Sequence, residues 1–362
     1  FFYAIFEVGM LEEKLKNKLS ERQGKNALRQ LKTSSDLVDF CSNDYLGYAK
    51  QHHPNELPMG ATGSRLISGT SNLHLQTEQE IANYHNTEAA LIFNSGYDAN
   101  LGFFSCVPQK EDTVIYDQLC HASIRDGIRL GLARSFAFKH NDLNHLKEKM
   151  NQASGQIFVV VESVYSMNGD FSPLEELFSL CQTYHAKLIV DEAHAFGVFG
   201  SKGQGLCQNA YARIYTFGKA LGSHGAAIVG SQILIDYLVN FSRPFIYTTA
   251  LAPHSVKRIS WAYQHITTAK ERIQLQNNIA YFKSNCQNKR LIESSSAIQC
   301  VLIGGNDNTK KIAELLATQH LDVRAILHPT VEEGKERLRI CLHAFNTKDE
   351  IHKLCQFIND IE

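Results

Sequence analysis

The sequence predicts an α/β protein: a mostly parallel sheet clad in helices, followed by a smaller α+β domain at the C-terminal end. Three observations carry that expectation. Short apolar runs recur between Ala89 and Gly230, and several are apolar on both faces, as strands covered by helices on each side require. Segments of helical periodicity separate those runs. After Pro253 the succession changes to a long helix and then a mixed set of short strands and helices.

In chain order, Met10 to Gln23 carries leucines at 11, 15 and 19 with charges between them, which predicts an amphipathic helix. Leu37–Cys41 reads as a strand entering the polar turn Ser42-Asn43-Asp44. GATGSRLISG, from Gly60 to Gly69, is too rich in Gly, Ser and Thr for a long helix. Strands are then expected at Ala89–Phe93, Thr113–Tyr116, Ser135–Phe138, Ile157–Glu162, Lys187–Asp191, Arg213–Phe217 and Ala226–Gly230. Helices are expected between them at Thr77–Tyr84, Ser123–Leu130, Leu143–Met150 and Leu174–Tyr184. Ser255 to Gln287 reads as one connector helix. The remainder reads as strand Ala297–Ile303, helix Thr309–His320, strands Val323–Leu327 and Arg337–Leu342, and helix Thr347–Ile361. The domains implied are an N-terminal helix and strand segment at 1–46, a large α/β domain at 47–252, and the connector with a small α+β domain at 253–362.

Composition narrows the function classes. With 44% hydrophobic and 20% charged residues, the 362-residue chain has material for a large core and is not a disordered chain. A net charge of −1 supplies no excess to hold a phosphate backbone or an anionic membrane surface. Nine cysteines, an odd number without CxxC pairs, fit neither a disulfide framework nor a zinc ribbon, so a reducing cytoplasm is expected. No run reaches the 18 or so apolar residues of a membrane helix. The apolar opening FFYAIFEVG lacks the basic flank and cleavage site of a signal peptide.

Four polar clusters stand at expected strand ends, where open α/β sheets bind ligands. Ser95-Gly96-Tyr97 precedes a helical stretch, and small residues there suit a phosphate. Asp191-Glu192-Ala193-His194 follows Leu188-Ile189-Val190 and puts a carboxylate at a strand tip. DEAH is also a helicase motif, but that reading requires a GxxxxGK[ST] loop; Gly218-Lys219 is followed by Ala220. Thr216-Phe217-Gly218-Lys219 offers an amine in a crevice, a candidate Schiff-base former or a plain surface lysine. Cys120-His121-Ala122-Ser123 offers an imidazole, catalytic or structural. A phosphate seat, a carboxylate for a ring nitrogen, a planar lid and an amine for an aldehyde are together what pyridoxal phosphate requires.

With these residues in place, the chain resembles the α-oxoamine synthases, pyridoxal-phosphate enzymes of fold type I. The likeness runs from Leu11 to the C-terminal helix. It rests on Ser42-Asn43-Asp44-Tyr45-Leu46-Gly47, Gly63-Ser64-Arg65 with Ser68-Gly69, Ser95-Gly96-Tyr97 and His121-Ala122-Ser123. It continues through Glu162-Ser163-Val164-Tyr165-Ser166-Met167-Asn168-Gly169-Asp170, Asp191-Glu192-Ala193-His194 and Thr216-Phe217-Gly218-Lys219. Ser296-Ala297-Ile298-Gln299, Gly304-Gly305-Asn306, and Pro329-Thr330-Val331 before Arg337-Leu338-Arg339 look like the biotin-synthesis branch. That branch condenses L-alanine with pimeloyl-CoA or pimeloyl-acyl-carrier protein.

The resemblance implies that Lys219 binds the cofactor aldehyde and takes the α-proton, Asp191 pairs with the pyridine nitrogen, and His121 stacks on the ring. It implies that His194 and Ser166 bond near the ring oxygen, and that Gly96, Tyr97 and Thr216 seat the cofactor. Arg339 would clamp the amino-acid carboxylate, with Arg29 near the acyl entrance and Thr330 as a further substrate contact. Thr248 and Thr249 would reach the phosphate of a partner subunit in a homodimer with shared active sites. No metal is implied. Leu327-His328-Pro329 departs from the family, which often has an arginine and paired prolines there, and the 48–63 and 207–211 segments are shorter than the family pattern. Sister enzymes acting on glycine or serine share nearly all these cofactor residues, and a non-catalytic scaffold need not retain the lysine.

Overall fold

A computed structural model describes residues 12–21, 23, 57–267, 270–328 and 330–361. Arg29, the expected strand Leu37–Cys41, the Ser42–Gly47 motif and the apolar opening lie outside the described residues. The chain divides into two compact units, one formed from 1–163 and 172–267, the other from 164–171 and 268–362.

The first unit begins with helix α1 (12–21). There follow α2 (Asn72–Tyr84), β1 (Ala89–Phe93), α3 (Gly96–Cys106), β2 (Thr113–Asp117), α4 (Ala122–Leu130), β3 (Arg134–Phe138) and α5 (Leu143–Asn151). Next come β4 (Ile157–Glu162), α6 (Leu174–Thr183), β5 (Lys187–Asp191), β6 (Ala212–Thr216), β7 (Ala226–Gly230), α7 (Gln232–Phe241), α8 (Arg243–Ile246) and α9 (Pro253–Ile266). Seven strands form one sheet in the order β1-β7-β6-β5-β4-β2-β3. All neighbours are parallel except β7, which runs antiparallel to both β1 and β6. The reason is the short connection 217–225 between β6 and β7: a parallel crossover needs roughly a dozen residues or more. Because β7 opposes both neighbours, β1 points the same way as β6, and the C-terminal ends of β1, β2, β4, β5 and β6 share one edge.

Side chains alternate between the two faces of each strand. Leu91, Phe93, Val160, Ile189, Ile214 and Ile228 pack with Phe103, Ile124 and Leu238 of the helices on one face. On the other face Ala90, Ile92, Tyr215, Ala227 and Val229 meet Ile81, Val256, Ile259 and Tyr263, while Val159, Val161, Leu188 and Val190 meet Leu146, Leu177 and Leu180. Each fully buried aliphatic side chain contributes about 1.5–3 kcal/mol. β3 lies at the sheet edge, with exposed Arg134 and Ser135, polar residues that discourage edge pairing.

The second unit contains α10 (Lys270–Asn285), β8 (Leu291–Ile292), β9 (Ile298–Leu302), α11 (Asn306–Thr318), β10 (Arg324–Ile326), β11 (Arg337–Cys341) and α12 (Lys348–Asn359). Its sheet, β10-β11-β9-β8, is antiparallel throughout. Phe282, Val301, Leu316, Leu338, Ile340, Leu354 and Ile358 fill its core. Thr347 and Glu350 close a reciprocal capping box at the start of α12.

One expectation is corrected. The single connector helix is two, α9 and α10, because the two halves serve different cores: Val256, Ile259 and Ile266 belong to the first unit, Ile279 and Phe282 to the second. The first unit accordingly runs to Thr267. The segment Val164–Phe171, which follows β4 in sequence, belongs to the second unit. Ser294 Oγ donates to the Gly169 carbonyl at 2.9 Å there, and Arg337 bonds Asn168.

Candidate active site

The register of the sheet decides which strand tips are neighbours. Phe93 and Thr216 both stand opposite Ala226, so the residues after β1 meet the end of β6. Gly96 opens α3 at that point. A Cβ on Gly96 would lie 2.2 Å from Thr216 Oγ1, so glycine alone permits this approach. The amide donors of the first turn of α3 and the positive end of its dipole thus lie beside a threonine hydroxyl, a setting suited to phosphate. Ser95 Oγ caps the helix by accepting from the Asp98 N–H at 3.0 Å. Tyr97 is exposed, and its hydroxyl donates to Asp126 at 2.5 Å, a bond that raises its pKa. Thr248 and Thr249 lie alongside: Asn94 Nδ2 donates to Thr248 Oγ1 at 3.2 Å and to the Thr249 carbonyl at 2.8 Å.

Asp191 ends β5 and is 5% exposed. Its Oδ1 accepts from the Ala193 N–H at 2.9 Å and its Oδ2 from Asn100 Nδ2 at 2.8 Å. Asn100 Nδ2 also donates to Ser123 Oγ at 3.0 Å, and that hydroxyl lies 2.7 Å from His121 Nδ1. The His121 backbone N–H donates to Glu162 Oε1 at 2.6 Å. Desolvation lowers the His121 pKa, with the charge of Lys219 acting in the same direction and Asp191 opposing it.

Glu162 and Asp191 are paired across β4 and β5. Burial first, and the Asp191 charge second, push the Glu162 carboxyl up to about 8. Glu192, next to Asp191, points into a different environment. It accepts from Ser163 Oγ at 2.8 Å and from the backbone N–H groups of Leu206 and Cys207, and burial raises its pKa to about 7. Of the two acids in the DEAH run, then, Asp191 joins the network to His121 and Glu192 anchors the loop ending at Cys207.

Lys219 lies in the turn between β6 and β7 and is exposed, and its Nζ is 2.8 Å from His194 Nε2. The first unit therefore carries Gly96, Tyr97, His121, Asp191, His194, Thr216, Lys219, Thr248 and Thr249 on or near one sheet edge. Ser166, Thr330 and Arg339 belong to the second unit. Arg339 Nε donates to the Ser166 carbonyl at 2.7 Å and its Nη1 to Cys341 Sγ at 3.0 Å. Thr330 is exposed in a turn, its N–H donating to the Leu327 carbonyl at 2.9 Å. Sequence reasoning did not single out Asn100 or Glu162 as site residues. The signal for Asn100 was an amide on the apolar face of GYDANLGFF, four residues after Gly96 and three before Phe103.

The residues present fit pyridoxal phosphate. The Gly96–Thr216 cradle suits its phosphate, Asp191 a ring nitrogen, His121 a ring face and Lys219 an aldehyde. Among the described residues no group of three or more His, Cys, Asp or Glu side chains could hold a metal ion, and no helix is long and apolar enough to cross a membrane.

Comparison with known proteins identifies the family. The family profile "Aminotransferase class I and II" matches residues 35–358. An 8-amino-7-oxononanoate synthase of Emericella nidulans is 36% identical over 392 residues, covering 96% of this chain and 95% of its own. The 8-amino-7-oxononanoate synthase of Cellvibrio japonicus is 36% identical over 384 residues, covering 97% and 96%. Among solved structures, serine palmitoyltransferase of S. paucimobilis superposes with a TM-score of 0.79 at 26% identity, over 96% of this chain and 97% of that one. An 8-amino-7-oxononanoate synthase from Francisella tularensis gives 0.72 at 29% identity, over 90% and 98%. The chain belongs to the aminotransferase class I and II family, with the fold of the fold type I pyridoxal-phosphate transferases.

Proposed function

We propose that this member of the aminotransferase class I and II family is a pyridoxal-phosphate-dependent acyltransferase. In this reading it condenses L-alanine with pimeloyl-CoA or pimeloyl-acyl-carrier protein, with loss of carbon dioxide and the thiol carrier, to give 8-amino-7-oxononanoate for biotin synthesis. The observation that carries the reading is the placement of Lys219, Asp191, His121 and the Gly96–Thr216 cradle on one sheet edge, in a chain 36% identical over nearly its whole length to synthases of that name.

When bound, pyridoxal phosphate supplies an electron sink for the carbanion formed at the amino acid's α-carbon. The protein's own groups do the rest. Lys219 Nζ would hold the cofactor aldehyde and would act as the general base for the α-proton. His194 Nε2, 2.8 Å from that nitrogen, orients it; His194 and Ser166 are the residues proposed to hydrogen-bond near the ring oxygen. Asp191, oriented by two donors, would pair with the pyridine nitrogen and favour its protonated form. His121 would cover the ring face and help to exclude water. Arg339 receives the amino-acid carboxylate: its Nε and one Nη1 hydrogen are engaged by Ser166 and Cys341, which leaves donors for a bidentate contact. Thr330 and Arg29 belong to the acyl-substrate side. Thr248 and Thr249 reach the phosphate of the partner's cofactor in a cytoplasmic homodimer.

A second reading, serine palmitoyltransferase, is favoured by the higher TM-score of that neighbour. An absorbance titration of cofactor-loaded protein with L-alanine, glycine and L-serine separates the two. A spectral change selective for alanine, followed by turnover with pimeloyl-CoA, supports the synthase. A response selective for serine moves the function to the palmitoyltransferase, and absence of any cofactor band refutes both.

A further inference from the structure

We infer that Asn100 is a positioning residue whose single amide nitrogen holds Asp191 and, through Ser123, His121, so that the partner of the ring nitrogen and the cover of the ring face are set by one group. This deepens the proposed function and rests on it for the roles of Asp191 and His121 toward the cofactor. The geometry itself stands without the cofactor.

Asn100 is 2% exposed, in the middle of α3. Its Nδ2 carries two hydrogens and makes two bonds, to Asp191 Oδ2 at 2.8 Å and to Ser123 Oγ at 3.0 Å. The opposite amide orientation would set a carbonyl oxygen against the Asp191 carboxylate, so this orientation is the one the network permits. Ser123 Oγ accepts from Asn100, which leaves its proton for His121 Nδ1 at 2.7 Å. The Ser123 N–H approaches the same nitrogen at 3.3 Å. Two donors at Nδ1 assign the proton of a neutral imidazole to Nε2.

The sequence supplies the close approach this tie needs. Gly127 lies where α4 crosses α3, and a Cβ there would stand 2.9 Å from the Asn100 carbonyl and 3.0 Å from Phe104 Cβ. A larger residue would push α4 away and lengthen the step from Asn100 to Ser123. Glu162 completes the mounting by holding the His121 backbone N–H at 2.6 Å, so backbone and ring of His121 are fixed from different strand tips. Asn100 Oδ1 has no protein partner among the described residues. The fold uses the donors of this amide.

The test uses the full-length protein with and without pyridoxal phosphate. Selective 15N-histidine labelling of the cofactor-free protein, with His121 assigned by its loss in H121N, should show the Nε2–H tautomer in the wild type. In N100A and in S123A that preference should weaken, since the backbone N–H of residue 123 remains the second donor. Cofactor affinity should fall about tenfold in N100A, in keeping with loss of a hydrogen bond to a charged group, and by less than about twofold in S123A, which leaves the Asp191 arm intact. An Nδ1–H tautomer in the wild type overturns the inference. So does an N100A protein with an unchanged tautomer, or one with wild-type cofactor affinity. Should N100A fail to fold, S123A still decides, because an unmoved His121 signal there removes the relay. A wild type that binds no cofactor refutes the functional reading, while the tautomer measurement continues to test the tie.

Discussion

Replacing Glu78 by leucine should destabilise the first unit far more than replacing Glu78 and Arg65 together. The pair is buried, with side chains 3% and 8% exposed, and bidentate: Nη1 to Oε1 at 2.8 Å and Nη2 to Oε2 at 2.9 Å. Arg65 Nε also donates to Thr70 Oγ1 at 3.0 Å, and Glu78 Oε1 accepts the Ile92 N–H at 2.9 Å. Glu78→Leu leaves a guanidinium without its counter-charge, which costs about 3–5 kcal/mol, and orphans the Ile92 N–H for about 1–3 kcal/mol more. The sum is about 4–8 kcal/mol. In Arg65→Met/Glu78→Leu the stranded charge is gone, and mainly the amide penalty of about 1–3 kcal/mol remains. Urea unfolding of the wild type, both single variants and the double variant closes the cycle. A Glu78→Leu loss below about 1 kcal/mol, or a double variant as unstable as the two singles added, would refute the reasoning. The pair matters to the site because Ser64, next to Arg65, bridges Thr249.

The other predictions concern the cofactor edge. Lys219→Ala should hold pyridoxal phosphate weakly and lose turnover by at least the roughly 10²–10⁴-fold of a missing general base, read by activity with added cofactor. Gly96→Ala forces a Cβ to 2.2 Å from Thr216 Oγ1. Overpacking of about 1–3 kcal/mol should then weaken cofactor affinity about tenfold, measured by fluorescence quenching. Glu162 has a folded pKa raised from 4.5 to about 8, so the stability it contributes is present below about pH 4.5 and is lost as pH rises toward 8. The slope should approach about 1.4 kcal/mol per pH unit across that window, and Glu162→Gln should flatten it in unfolding titrations. The groups acting on Glu162 are Asp191, Asp117, Lys219 and the His121 amide, so the variant is compared at fixed cofactor occupancy.

The parts of this fold written in local pattern were legible. Ile157–Glu162 and Lys187–Asp191 are continuous apolar runs because both sheet faces are covered, and they form strands with those bounds. Strand ends bearing Gly96, Asp191 and Thr216 were legible as candidate ligand positions because open α/β sheets expose that edge. The direction of β7 was not. Ala226–Gly230 reads as another buried strand whichever way it runs, and only the length of the 217–225 connection speaks to its reversal. α7 was not singled out because QILIDYLVNF is apolar enough to resemble a strand-like run, and its burial against β1 and α3 is a tertiary fact.

The site was legible to the extent that a residue's chemistry names its task, and illegible where the task depends on a neighbour. Lys219 and Asp191 announce an amine and a carboxylate at strand ends. Glu192 announces the same carboxylate one residue later, yet its bonds to Ser163, Leu206 and Cys207 make it an anchor for a loop. The difference is which way each side chain leaves the end of β5, a consequence of alternation that becomes visible once the pairing of β5 with β4 and β6 is known. Asn100 is the extreme case: its amide acquires a role because Gly127 lets α4 come close and because β5 delivers Asp191 to its other side. Three distant segments must arrive together before that one side chain does anything. A residue of this kind can be sought in a sequence as a polar side chain on a helix face whose other positions, here Phe103 and Val107, are committed to the core.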